Sequence, residues 1–148
     1  MTDIDYDDPQ VEKEWCAERR AEVIDYLSRE GLEHGSVPEV PEWFVAPYVS
    51  IWPIHCVGTP KSVEWWVICG DMPTDYVSAN GVNGPQEVMH SIAKRWSEVS
   101  AYMLRGEPHP QIEIGGPESW PELGPLLQSR ALTLAGWAND PEVWDAEA

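Results

Sequence analysis

The sequence predicts an α+β fold: a small antiparallel sheet of about three strands packed with three main helices, in a single domain over residues 1–148. Strand-like segments cluster in the middle of the chain and helical periodicity flanks them on both sides. The length is that of one domain, sufficient for a core without disulfide or metal support.

The first helix begins at Asp8-Pro9, an N-cap followed by proline at the first helical position. It ends before Gly31, placed as a C′ glycine, with Leu32 set for the accompanying apolar contact. Cys16, Val23, Ile24 and Leu27 share one side of its wheel, and Arg20 interrupts that stripe. Glu14, Glu18, Glu22 and Asp25 recur on the opposite side. Residues 36–47 hold Pro38, Pro41 and Pro47 and predict an extended connection with short strand potential at most. Strands follow over about Tyr48–Ile54 and Val63–Cys69, joined by a turn at Gly58-Thr59-Pro60-Lys61. Val63–Cys69 is apolar on both faces and predicts the central strand, whereas Pro47 and Pro53 suit an edge or irregular one. A third strand is expected around Asp75–Ala79.

A second helix runs from Asn83-Gly84-Pro85 to Gly106, with Val88, Ile92, Trp96, Val99 and Met103 on one face. A third spans about Glu122–Ala138, with Leu123, Leu127, Leu134 and Trp137 inward and Arg130 intruding. Asp140–Trp144 reads as a short further turn, and residues 1–7 and 141–148 as loosely ordered.

The formal net charge is −17, and it is unevenly spread. Residues 1–42 carry 13 acids against 4 bases, residues 43–83 carry 3 against 1, and residues 84–148 carry 10 against 4. The nearly uncharged middle holds seven of the fifteen aromatic residues. Such acidity excludes phosphate-backbone binding and disfavours anionic membranes. No apolar run nears the ~20 residues of a membrane span. The first residues lack a signal-peptide pattern, so a soluble cytoplasmic protein is expected.

Four stretches, Glu14–Arg20, Ala46–Trp52, Trp65–Ser78 and Arg105–Pro110, resemble a bacterial family of unknown function, DUF4826. The tryptophan-rich Trp65–Ser78 motif is the most specific of them. The resemblance covers nearly the whole chain and implies a small soluble bacterial protein with no assigned chemistry and no catalytic residues.

The loop from Gly70 to Tyr76 is the most site-like segment, since it places Asp71, Asp75 and a phenol near one another. The competing reading is that Asp71 and Thr74 cap a proline turn and Asp75 opens a strand. Arg20 and Arg130 on apolar helix faces imply rim positions or buried carboxylate partners, with the Asp71–Asp75 loop as a shared partner. If that network opened onto a cleft, the arginines would suit an anionic ligand. His55 and Cys56 are adjacent on a strand and point to opposite faces, which predicts a buried thiol beside an exposed imidazole. Cys16, Cys56 and Cys69 match no zinc spacing and read as reduced, mostly buried thiols. His34, His90 and His109 have no second histidine at ligand spacing, so neither a metal nor a cofactor is expected.

The leading expectation is a non-enzymatic module that recognises another protein with a basic surface, with an immunity-type inhibitor of a toxin as its most concrete form. Glu14, Glu18, Glu22 and Asp25 would steer the partner, and Trp15 would anchor it. The alternative is a small hydrolase or anionic-ligand domain using Asp71, Asp75, Tyr76 and Arg20 or Arg130. A homo-oligomer hiding the tryptophan-rich centre is a third reading.

Overall fold

A computed structural model describes residues 4–110, 112 and 116–145, with backbone alone at 59–61 and 145. The element order is α1 (Pro9–Arg29), β1 (Trp43–Val45), β2 (Val49–Cys56), β3 (Thr59–Gly70), β4 (Met72–Ser78), α2 (Pro85–Leu104), α3 (Trp120–Ala138) and α4 (Pro141–Asp145). The chain is α+β and packs as two compact units, Met1–Pro85 and Gln86–Ala148.

The capping chemistry of α1 is that expected from its sequence. Asp8 Oδ1 accepts the Gln10 N–H at 2.8 Å, and Pro9 follows it. At the other end Gly31 takes φ +66°, and Leu32 N–H reaches the Leu27 carbonyl while Gly31 N–H reaches that of Ser28. This is a Schellman closure, which removes two orphan carbonyls. The buried stripe comprises Trp15, Cys16, Val23, Tyr26 and Leu27. Ile24, expected inside, is exposed, because it lies about 100° round the helix from Val23.

The sheet has four antiparallel strands in the order β1-β2-β3-β4, one more than expected. The added strand is Trp43–Val45, inside the proline-rich connection, where three residues between Pro41 and Pro47 find room to pair. Consequently β2 is internal rather than an edge, although the register shifts around His55 make it irregular, the other possibility its prolines suggested. Its odd-numbered residues bond outward: the Ile51 carbonyl accepts the Glu42 N–H, and His55 exchanges bonds with Gly35 and Ser36. Pro53, which has no N–H to offer, falls between these two pairings and is tolerated there. The β2–β3 connection is tighter than expected. Cys56 pairs with Thr59, leaving only Val57 and Gly58 in the turn, and Gly58 at φ +81° supplies the positive dihedral.

Alternation sorts the side chains between faces. Trp52, Ile54, Val67 and Cys69 share one face and meet Val23, Tyr26 and Leu27 of α1, with Leu32, Trp65 and Tyr76 packed against them. Val49, Ile51, Trp66, Ile68 and Val77 share the other face and are also buried, which accounts for the doubly apolar run in β3. Each such large side chain contributes about 1.5–3 kcal/mol when fully buried.

In the second unit α2 and α3 run antiparallel. Gln86 Nε2 donates to the Ala138 carbonyl at one end, and a Cβ on Gly124 would lie 3.2 Å from Met103 at the other. Val88, Ile92, Trp96, Val99 and Met103 are buried as expected, while on α3 only Leu127 and Leu134 of the expected four are fully so. The turn after Asn139 is the five-residue α4, where Trp144 Nε1 donates to the Trp137 carbonyl. Residues 1–3 and 146–148 of the expected loose ends lie outside the described residues. Among the described residues no helix is long and apolar enough to cross a membrane.

Gly70 ends β3 at φ +148°, and a Cβ there would lie 2.3 Å from the Tyr48 carbonyl oxygen. Gly58 also has positive φ, but a Cβ there meets nothing within 4 Å. Alanine at Gly58 should therefore cost only the dihedral strain, about 1 kcal/mol, whereas Gly70→Ala should cost about 3 kcal/mol or more. Urea unfolding of the two variants measures the difference, and equal losses would show that the close approach is not what demands Gly70.

Candidate functional site

The four carboxylates of the α1 ridge, Glu14, Glu18, Glu22 and Asp25, are all exposed. They are interleaved with arginine: Arg19 lies 3.1 Å from Glu22 and 3.6 Å from Glu18, and Arg29 lies 2.8 Å from Asp25. These pairs relieve the like-charge repulsion at i,i+4 spacing. Trp15, expected as the partner's anchor beside the ridge, is only 6% exposed. Its ring stacks on Phe44 at 6.2 Å, and the Arg19 guanidinium sits 5.4 Å from its centroid. The reason is geometric: Trp15 is eight residues from Val23, about 80° round the wheel on the side away from Ile24, where Phe44 of the edge strand covers it. Arg19 Nε is buried without a hydrogen-bond partner.

An open groove of about 380 Å³ lies at this end of the N-terminal unit. Tyr6, Trp15, Glu18 and Arg19 form one wall, and Pro47, Tyr48, Gly70 and Asp71 form the other. The second wall is tied together by Asp71 N–H, which donates to the Tyr48 carbonyl at 2.9 Å. Ala46-Pro47 is a cis peptide in the same corner. Thus Trp15 and Glu18 from one expected site, and Asp71 from the other, line a single feature. Gly70 of the site-like loop joins them, and Tyr48, Arg19, Pro47 and Tyr6, which were not singled out as site residues from sequence, complete it. Tyr48 lies inside the Ala46–Trp52 stretch, and the expected hairpin of Tyr48–Ile54 with Val63–Cys69 puts it at the same end of the sheet as Gly70; what a linear reading does not show is that Tyr6 and α1 line that end as well.

The remaining expected residues go elsewhere. Asp75 Oδ1 accepts the N–H of Tyr76 at 2.8 Å. The Ala79 N–H pairs inward with the Glu64 carbonyl, so by alternation the Tyr76 N–H faces the outer edge of β4. Asp75 thereby shields a donor on the sheet edge. Tyr76 lies in an aromatic cluster, 6.1 Å from Tyr26 and 5.4 Å from Trp65. The trio Asp71, Asp75 and Tyr76 is therefore dispersed. Arg20 has no carboxylate from that loop: its Nε donates to the Pro38 carbonyl at 2.9 Å and its Nη2 to that of Val37 at 3.0 Å. Proline-rich connections leave carbonyls without ladder partners, and the guanidinium fork satisfies two of them. Arg130 is half-buried on α3, in the second unit.

His55 and Cys56 are both half-buried, not divided between core and solvent. Cys56 Sγ donates to Glu64 Oε2 at 3.1 Å, and His55 Nδ1 lies 3.3 Å from Ser36 Oγ. Cys16 and Cys69 are buried. Cys69 lies beneath α1 in a polar network, with Ser50 Oγ 3.3 Å from its sulfur and donating to its carbonyl at 3.1 Å, while Trp52 Nε1 donates to Ser50 Oγ at 2.9 Å. Burial pushes its thiol up to about 11, against the lowering effect of the Ser50 bond. Among the described residues no group of three or more His, Cys, Asp and Glu is arranged to hold a metal.

A family model matches residues 9–144. The chain belongs to the DUF4826 family, a domain of unknown function. No curated protein and no solved structure matches it. In this DUF4826 chain, three of the four stretches on which the resemblance rested (Glu14–Arg20, Ala46–Trp52 and Trp65–Ser78) supply groove residues.

Two outcomes test the structural roles assigned here. Arg20→Met keeps the apolar stem but removes both donors to Val37 and Pro38, and should cost about 2–3 kcal/mol in urea unfolding. No loss would show that the two carbonyls do not depend on it. Cys69 contributes through its neutral form, because its folded thiol ionises at about 11 against an ordinary 9.0. That contribution is complete below pH 9 and is lost as pH rises through 11, amounting to about 2–3 kcal/mol. Cys69→Ala should therefore lose less stability than the natural chain over this interval, and parallel curves would contradict the assignment.

Proposed function

We propose that this protein is an acidic, non-enzymatic binding module that captures a basic protein through the outer face of α1. Its most concrete form is a cytoplasmic immunity-type inhibitor that neutralises a toxin, in a bacterial cell. The observation that carries this reading is the continuity of the α1 ridge with the groove: four exposed carboxylates lead to a recess where Glu18 and Asp71 flank aromatic side chains. Opposite charge accelerates encounter and orients the partner, while a recess with aromatic walls supplies short-range contact. Two arginines pair with the ridge, yet four carboxylates against two guanidinium groups leave its field negative. The second reading, a small hydrolase or anionic-ligand domain, has less support. Asp71 lines the groove, but Tyr76 is packed in the aromatic cluster and Arg20 holds backbone carbonyls.

Glu18 and Glu22 anchor Arg19, so the ridge is better tested at its two ends. Glu14→Lys/Asp25→Lys should fold normally, since both positions are exposed. For a basic protein retained from native lysate at low salt and released by high salt, the association rate to the natural chain should fall about tenfold between roughly 50 and 500 mM salt. The double variant should associate about tenfold more slowly at low salt, with a flatter salt dependence. Equal rates for both chains at low salt would overturn the steering role.

A further inference from the structure

We propose that the groove between α1 and the two sheet turns receives the guanidinium of an arginine carried on an extended segment of the partner. This rests on the binding-module reading and names what its recess recognises. Tyr48 stands in one wall with half its surface exposed, at 51%. A flat aromatic face of this kind attracts a cation, and a guanidinium stacks on it better than an ammonium does. The carboxylates of Glu18 and Asp71, both exposed, stand in the facing walls. A carboxylate accepts up to about four hydrogen bonds, so the partners these groups already have leave capacity for another donor.

The groove already contains this chemistry within the chain. Arg19 lies over the Trp15 ring at 5.4 Å and between Glu18 and Glu22 at 3.6 and 3.1 Å. Arg19 pairs most closely with Glu22, which lies outside the lining, so Glu18 and Asp71 outnumber the one guanidinium in the recess, and with 13 acids against 4 bases in residues 1–42 the local field favours an incoming cation over an anion. A metal ion fits less well, because Glu18 and Asp71 are the two carboxylates lining the recess and no three-ligand cluster is present among the described residues. The volume of about 380 Å³ falls within the range of sites for small groups. The groove is open to solvent, which leaves room for the chain that carries the arginine.

The test is titration of the isotopically labelled protein with acetyl-arginine amide, followed by heteronuclear NMR. Saturable shifts are expected at the amides of Tyr48, Gly70 and Asp71 and the indole of Trp15, with a millimolar dissociation constant. Acetyl-lysine amide should bind at least about threefold more weakly, and acetyl-glutamine amide should give no saturation. Asp71→Asn and Tyr48→Ala, both at exposed positions, should each weaken acetyl-arginine amide by about threefold or more. Absence of saturable shifts at these residues, or equal binding of the arginine and glutamine amides, would overturn the proposal. Failure here would leave the salt-dependent steering by Glu14 and Asp25 standing, so the two readings fail separately.

Discussion

Gly70 has no Cβ where one would lie 2.3 Å from the Tyr48 carbonyl oxygen, and the chain uses that space to bring two turns together. The β1–β2 corner and the β3–β4 corner close on each other, and Asp71 N–H bonds to the same carbonyl. Everything on the far wall of the groove follows from this contact. Pro47 and Tyr48 arrive from one turn, Gly70 and Asp71 from the other. A larger residue at position 70 would push the corners apart before any side chain of the recess could be placed. The register of β2 against β3 depends on it too, since Val49 pairs with Gly70 at the end of the ladder.

The opposite wall depends on how α1 lies on the sheet. Val23 and Leu27 are fully buried against Trp52, Ile54 and Val67, which fixes the rotation of the helix. That rotation assigns consecutive arginines to different tasks. Arg20 falls within the buried stripe and its fork closes on the carbonyls of Val37 and Pro38. Arg19, about 100° away, lies against Trp15 with its Nε buried, and its Nη2 reaches the carboxylates of the ridge. The same residue type thus satisfies backbone at one position and balances charge at the position before it.

Much of the fold was legible because it rests on local rules. Asp8-Pro9 and Gly31-Leu32 each carry a complete capping signal, and the apolar run Val63–Cys69 has few options besides an inner strand. The misreadings concern pairings that no local rule contains. Pro53 marked β2 as an edge or an irregular strand; it is irregular, with register shifts around His55, but internal, because its outer partner comes in two pieces with the proline between them. Asp71, Asp75 and Tyr76 looked like one site because they are close in sequence. On a strand, alternation and the turn before it separate them: Asp71 stays in the corner, Asp75 guards the edge and Tyr76 turns to the core. The groove itself was not legible, since its walls are contributed by segments up to 65 residues apart, from Tyr6 to Asp71.

The acidity of the chain takes on a more specific meaning in this light. A uniformly negative surface promotes solubility and excludes polyanions, but it does not select among cations. Selection needs a place where charge, shape and an aromatic face coincide. Along α1 the exposed carboxylates alternate with arginines that neutralise part of the field, so the far-reaching attraction is moderate. In the groove Asp71 stands beside Tyr48 in the corner and Glu18 faces them from α1, so the short-range attraction is directional. Salt screens the first over a Debye length of about 8–10 Å and affects close contact in a recess much less. The ridge and the groove are therefore separable in one experiment series, because ionic strength acts mainly on encounter while the wall residues act on retention.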